Sequence, residues 1–296
     1  MMNNQRKAYF YTACVVLIWA TVASAFKISL RYLDYIQLLA LSSFTSLIVL
    51  FFLLVLSKKI ILLKTYSKQD YMLSALLGLC NPFLYYLVLF KAYELLPAQE
   101  AQPLNQTWAI VLALLSIVIL RQKITSKSIL ALVIGLVGVF IISTHGHVLE
   151  FKFSNLNGVF LALGSAFIWA IFWLYNMKDK RDIIAKLFLN FLFGSVFIII
   201  FLLITKRSLR APSFGYIGAL YVGIFEMGIT FVLWLKALKL SKTTAQVSNF
   251  IYLVPFLSLV VIHFTVGEKI LASTIIGLVF IITGILLQQY SSKHSR

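Results

Sequence analysis

The sequence predicts an all-helical integral membrane protein of ten transmembrane helices, built as two inverted five-helix repeats. Three observations predict it. Hydrophobic residues fill 61% of the 296 positions and charged residues 12%, with a mean hydropathy of +0.96, whereas a soluble domain is about a quarter charged. Apolar runs of about 20 residues recur along the chain, each long enough to cross a roughly 30 Å hydrocarbon layer as a helix. The two halves of the chain repeat one another in order, with an odd number of spans in each.

The spans are centred near Ile18, Ile48, Leu84, Val111, Gly135, Ile168, Val196, Met227, Leu257 and Phe280, joined by short loops rich in Lys, Arg, Ser, Asn or Pro. The first begins after Arg6 and Lys7 and runs to about Phe26. It is longer than the apolar core of a signal peptide, so it is expected to be retained.

A formal charge of +17 would suggest nucleic acid if the cations shared one face, but they lie almost entirely between the apolar runs. That is the pattern of basic loops at a membrane surface. The expected partners are the lipid bilayer and a small-molecule substrate, with no nucleic acid. With the N-terminus inside, 18 of the 26 Lys and Arg fall on cytoplasmic segments. The expectation is therefore a multi-pass protein of a bacterial inner (plasma) membrane with both termini cytoplasmic. Lys206, Arg207 and Arg210 oppose this rule locally.

Internal repetition is carried by an ordered set of matches. Ile18-Trp19-Ala20 recurs as Ile168-Trp169-Ala170, 150 positions later. At an offset of 145, Gly78-x-x-Asn81 lines up with Gly223-x-x-Glu226 and Lys91-Ala92 with Lys236-Ala237; at 146, Gln122-Lys123-Ile124 lines up with Glu268-Lys269-Ile270 and Gly138 with Gly284. The repeats are expected to cover 1–146 and 147–296. Five spans per copy force the second to enter the membrane from the opposite side, the arrangement that underlies alternating access around a midplane site.

Glu226 is the one acid expected near the middle of a span, where a charge costs at least a few kcal/mol unless it is paired or hydrated. It is a candidate for proton coupling, gaining and losing a proton as the site alternates between dry and wet; the alternative is a neutral tie between helices. Asn81, its repeat partner, precedes Pro82, which removes a backbone donor and can kink span three. Trp19, Trp169 and Trp173 lie deep in their spans, away from the interfacial belt, and either line a cavity or pack between helices; Trp108 and Tyr85 have the same two readings. Gln246, Asn249 and Tyr252 recur three apart and so share one face of span nine. These residues form the expected substrate site.

Lys27 and Lys91 are expected to snorkel to headgroups. Cys14 and Cys80 lie inside spans without the spacing of a disulfide framework or zinc site, and His145, His147 and His263 make no complete metal site. Neither a metal nor a cofactor is expected. Enzyme motifs such as HExxH, GxSxG and a phosphate-binding Gly-rich loop are missing from the sequence, and an inverted duplication favours a transporter over a channel.

At these residues the sequence resembles the drug/metabolite transporter superfamily, specifically proteins with two EamA-like domains. The resemblance rests on the two Ile-Trp-Ala stretches, the Lys-Ala pairs at 91–92 and 236–237, Gly267-Glu268-Lys269 after span nine, and the glycine-spaced fifth and tenth spans. It implies a ten-helix bundle around a cavity lined by spans one, three, four, six, eight and nine, exporting or exchanging amino acids, related metabolites or drugs. Asn105-x-x-Trp108 looks like the stretch found in the branch that exports aromatic amino acids. The chain departs from the pattern at Gln122, where Glu is usual, and at Ile110, where Pro is often found, while Pro255 keeps that proline in the second half. Amino acid export is the leading expectation, and export of drugs or nucleotide-derived metabolites the second.

Overall fold

The computed structural model describes residues 3–119, 126–150, 153–242, 247 and 249–294. Its described residues are all-helical in their regular structure. Six helices are long and apolar enough to cross a membrane: α1 (Asn4–Ser29), α2 (Tyr35–Leu56), α3 (Lys68–Leu95), α6 (Leu156–Lys178), α7 (Ile183–Thr205) and α8 (Ser213–Leu240). The remaining four carry shorter or broken apolar stretches. Helix α4 (98–119) breaks at Thr107 into Ala98–Gln106 and Trp108–Ile119; α5 is Ser126–Ser143, α9 a tight turn Asn249–Leu253 leading into Val254–Val266, and α10 Ala272–His294.

Short polar residues start the helices where the loops reach water. The Asp34 carboxylate accepts the Ile36 and Gln37 amides while the Gln37 side chain accepts the Asp34 amide, and Ser67 with Asp70 repeats the device. Asn155 caps α6 and Asp182 caps α7. Gly267 ends α9 at φ 82°, a left-handed conformation that suits glycine.

The helices pair across the two halves of the chain. Helix α1 lies against α8 and α9, and α6 in the same manner against α3 and α4; α2 packs on α8 as α7 packs on α3, and α5 pairs with α10. Close approach in lipid depends on small residues, and the glycines show the two-fold relation directly. A Cβ on Gly78 would sit 2.4 Å from the Asn190 carbonyl oxygen, and one on Gly223 2.5 Å from the Ser42 carbonyl oxygen. A Cβ on Gly138 would meet the Gly277 carbonyl oxygen at 2.5 Å, and one on Gly284 the Ala131 carbonyl oxygen at 2.7 Å. The residues matched in sequence thus make matched contacts in space, as inverted repeats require.

Ten helices place the described ends of the chain on one side, the terminal face; the turns at 30–34, 96–97, 144–150, 206–212 and 267–271 lie on the opposite face. There Arg207 pairs with Asp34 at 3.8 Å, and Gln37 donates to the carbonyls of Ser208 and Arg210. Part of the cluster that opposes the charge rule is therefore tied to the α1–α2 turn.

Candidate functional site

Helices α3 and α8 both widen near mid-membrane, and this places the site. In α3 the turn Leu79–Leu84 is loosened around Asn81, which leaves helical geometry (φ −151°, ψ 119°) just before Pro82. In α8 the wide stretch is Val222–Thr230, where the Thr230 hydroxyl donates to the Phe225 carbonyl five residues back at 2.5 Å. The two stretches correspond at the repeat offset of 145. Widened turns of this kind leave backbone groups underused and recur at functional sites. Here one carries Asn81 and the other Glu226, both buried.

A cavity with about 60 Å³ of room for water-sized occupants lies between α1, α3, α4, α6, α8 and α9. Glu226 lies at its mid-membrane end. The carboxylate Oε1 accepts the Tyr86 hydroxyl at 3.0 Å, and the Trp19 indole N–H is within reach of the same group. Its Oε2 is buried with no hydrogen-bond partner among the described residues. Aromatic rings of Trp19, Tyr85, Tyr93, Trp108 and Trp169 form the wall, with Tyr85 stacked on Trp169, centroids 4.2 Å apart and planes at 26°; behind them Tyr86 meets Tyr85 edge-on at 4.7 Å and Trp234 contacts Trp19 at 5.8 Å. Neutral polar groups complete it. Asn105 accepts from the Tyr85 hydroxyl at 3.3 Å and donates to Ser165 at 2.9 Å, and Gln102 accepts from Tyr93 at 3.0 Å. One carboxyl group among ring faces and amides suits a ligand with an ammonium group and an apolar or planar body.

The structure brings Trp19, Tyr85, Trp108, Trp169 and Glu226 together around this space. Three other expected residues stand apart from it. Asn81 is fully buried in the α3 break, Trp173 is packed in a ring cluster with Trp169, Phe172 and Phe231, and Tyr252 is buried next to the lining residue Ile251. Gln246 and Gln122 lie outside the described residues, as does the side chain of Asn249. Sequence reasoning missed Tyr93, Gln102 and the apolar Val22, Phe26 and Leu89 in the lining. Their signal was helical spacing: Val22 and Phe26 stand three and seven after Trp19, and Leu89 and Tyr93 four and eight after Tyr85. No group of three or more His, Cys, Asp or Glu that could hold a metal occurs among the described residues.

Towards the opposite face the helix ends are tied to one another. Lys27, expected to snorkel, instead turns inward and donates to the carbonyls of Tyr93 at 2.8 Å and Leu96 at 2.6 Å; the last turn of α3 leaves carbonyls without intrahelical donors, and an ammonium satisfies them. Lys91 pairs with Glu94 and lies over the Tyr35 ring. Glu268, of the second half, caps the first turn of α4 by accepting the amides of Ala98 and Gln99 at 2.8 and 3.0 Å. Gln99 donates to the Lys269 carbonyl and accepts from the Leu271 amide. His145 pairs with the buried Glu100. Substituting Glu268 by Ala uncaps α4 and is expected to cost about 1 kcal/mol; the check is a lowered thermal midpoint of the detergent-solubilised protein, and an unchanged midpoint would contradict it.

Comparison with known proteins gives one consistent result. The model of the EamA-like transporter family matches residues 6–144 and again 156–288. An uncharacterised transporter of Clostridium kluyveri is 29% identical over 59% of this chain, a stretch that spans 58% of that relative's length. One from Archaeoglobus fulgidus is 26% identical over 97% of this chain and 98% of its own. A crystal structure 17% identical, covering 97% of this chain and 98% of its own, superposes with a TM-score of 0.68, a likeness of fold. With both halves matched by a family of transporters and the ten-helix inverted duplication in place, this multi-pass membrane protein belongs to the EamA-like transporter family.

Proposed function

We propose that the protein moves small metabolites across the inner membrane by alternating access, amino acids foremost, with Glu226 carrying a proton in exchange. The observation that carries this reading is a buried carboxyl group with one oxygen unpartnered among the described residues, at the midplane end of a cavity that the stacked pair Tyr85 and Trp169 also lines. The free oxygen is a place for an ammonium group or a proton, and the two compete for it. The stacked pair Tyr85 and Trp169, and Asn105 with Trp108, favour amino acids with aromatic side chains. The cytoplasmic placing of both termini, and the division into repeats at 146, rest on the distribution of Lys and Arg and on the matched residues.

Uptake of a panel of radiolabelled amino acids by purified protein in proteoliposomes, with and without a proton gradient, tests it. Saturable uptake of at least one amino acid is expected; its absence across the panel would turn the reading toward drugs and nucleotide-derived metabolites, whose planar rings fit the same stacked wall. Within the transported class, Trp169→Ala removes the ring that stacks on Tyr85 and is expected to raise KM by about fivefold, equivalent to ~1 kcal/mol of lost ring contact. An unchanged KM would remove Trp169 from the site.

A further inference from the structure

We propose that the protein contains a second, presently collapsed substrate site on the terminal side of Trp169, formed by Asn81, Phe172, Asn176 and Trp234. This rests on transport by alternating access. Inverted halves exchange conformations when the site changes sides; Trp19 and Trp169 are mates that both line the present cavity, whereas lining residues whose mates lie outside it have mates placed to line the alternate one. The repeat offsets assign the mates: 150 between α1 and α6, and 145 between α3 and α8. Val22 maps to Phe172, Phe26 to Asn176 and Leu89 to Trp234, while Glu226 maps back to Asn81.

Two independent observations fit the assignment. The mates are closed off now: Asn81, Phe172 and Asn176 are 0% exposed and Trp234 is 5% exposed, with Trp234 filling space against Trp19 and Phe172 against Phe231. And the two asparagines are polar groups held away from water to no visible purpose. All four side-chain amide atoms of Asn81 and Asn176 lack a hydrogen-bond partner among the described residues. Buried amides are normally satisfied, and leaving them unmade costs free energy that a core of apolar residues would avoid. A state in which they meet a solute gives these buried amides partners. Helix α6, which carries Asn176, already packs against the broken stretch of α3 that carries Asn81.

The two sites differ in charge. The present one holds a carboxyl group and the collapsed one two neutral amides, which donate to a carboxylate and accept from an ammonium group. A zwitterionic solute is therefore held with Glu226 on one side of the cycle and without it on the other.

The test is side-specific labelling with a membrane-impermeant maleimide in membranes of each orientation, on a parent lacking the native thiols (Cys14→Ala, Cys80→Ala). Asn176→Cys is expected to react from the terminal face and to resist from the opposite face, and Phe26→Cys to do the reverse. Trp234→Cys repeats the terminal-face test should Asn176→Cys fail to fold. The proposal is overturned if neither terminal-side cysteine reacts from the terminal face while Phe26→Cys reacts from the other and the parent transports. If the parent transports nothing and every position reacts from one side alone, the alternating-access reading itself falls.

Discussion

In Glu226→Gln proteoliposomes, the part of solute uptake stimulated by a proton gradient is expected to disappear while solute-for-solute exchange persists. Glutamine keeps the shape of the side chain and can still accept the Tyr86 hydroxyl, which donates to Oε1 at 3.0 Å. What it cannot do is bind and release a proton within the cycle. The contrast between gradient-driven uptake and exchange separates coupling from folding, because a misfolded protein loses both. The dependence of uptake on pH should flatten in the same variant. Gradient-driven uptake equal to that of the parent would make Glu226 a fixed tie between α8 and α3, and the proton would need another carrier. Tyr86→Phe is the companion measurement, since it removes the donor and leaves the carboxyl group in place.

The second large effect is on assembly. Gly78→Leu places a Cβ 2.4 Å from the Asn190 carbonyl oxygen and 2.8 Å from the Gly194 nitrogen, both backbone atoms that cannot swing aside. Helices α3 and α7 must separate, and forced overpacking costs about 1–3 kcal/mol. Gly223→Leu meets the Ser42 carbonyl oxygen at 2.5 Å and the Thr45 Cβ at 2.5 Å and is expected to cost about as much. In the double variant the losses should add if the sites are independent. Gly164 supplies the control: a Cβ there meets nothing within 4 Å, so Gly164→Ala should be neutral or gain up to about 1 kcal/mol of helix propensity. Thermal unfolding in detergent reads all four. A Gly78→Leu protein as stable as the parent would mean that the two helices slide apart freely.

Composition and apolar run length made the spans legible, and the order of matched residues made the duplication legible, because both are properties of the chain that lipid and symmetry constrain directly. The same matches singled out Trp19, Trp169 and Glu226, which the structure brings to one cavity. Asn81 shows where such reasoning stops. It is the sequence mate of Glu226, yet only Glu226 lines the cavity, because the two halves of the chain hold different local conformations and sequence matching does not encode that difference. Gln102 was missed for a different reason: which face a helix turns inward depends on its rotation, and the break in α4 at Thr107 resets that rotation between Gln102 and Trp108. Lys27 looked like an interfacial anchor by position, but its two acceptors are carbonyls at the far end of another helix, a contact no local pattern encodes.

The crosswise pairing of helices also bears on how the protein is made. Most of the contacts of α1, α2, α3 and α5 are with α6 to α10, which leave the ribosome later. While the first five helices wait in the bilayer, Ser42 and Ser43 on α2 have not yet met α8, and Gly78 on α3 faces lipid in place of α7. Lipid offers such faces neither hydrogen bonds nor close packing. A chain halted after its fifth helix would thus be inserted without being folded, open to capture by any partner that presents the missing surfaces, including a separately synthesised second half.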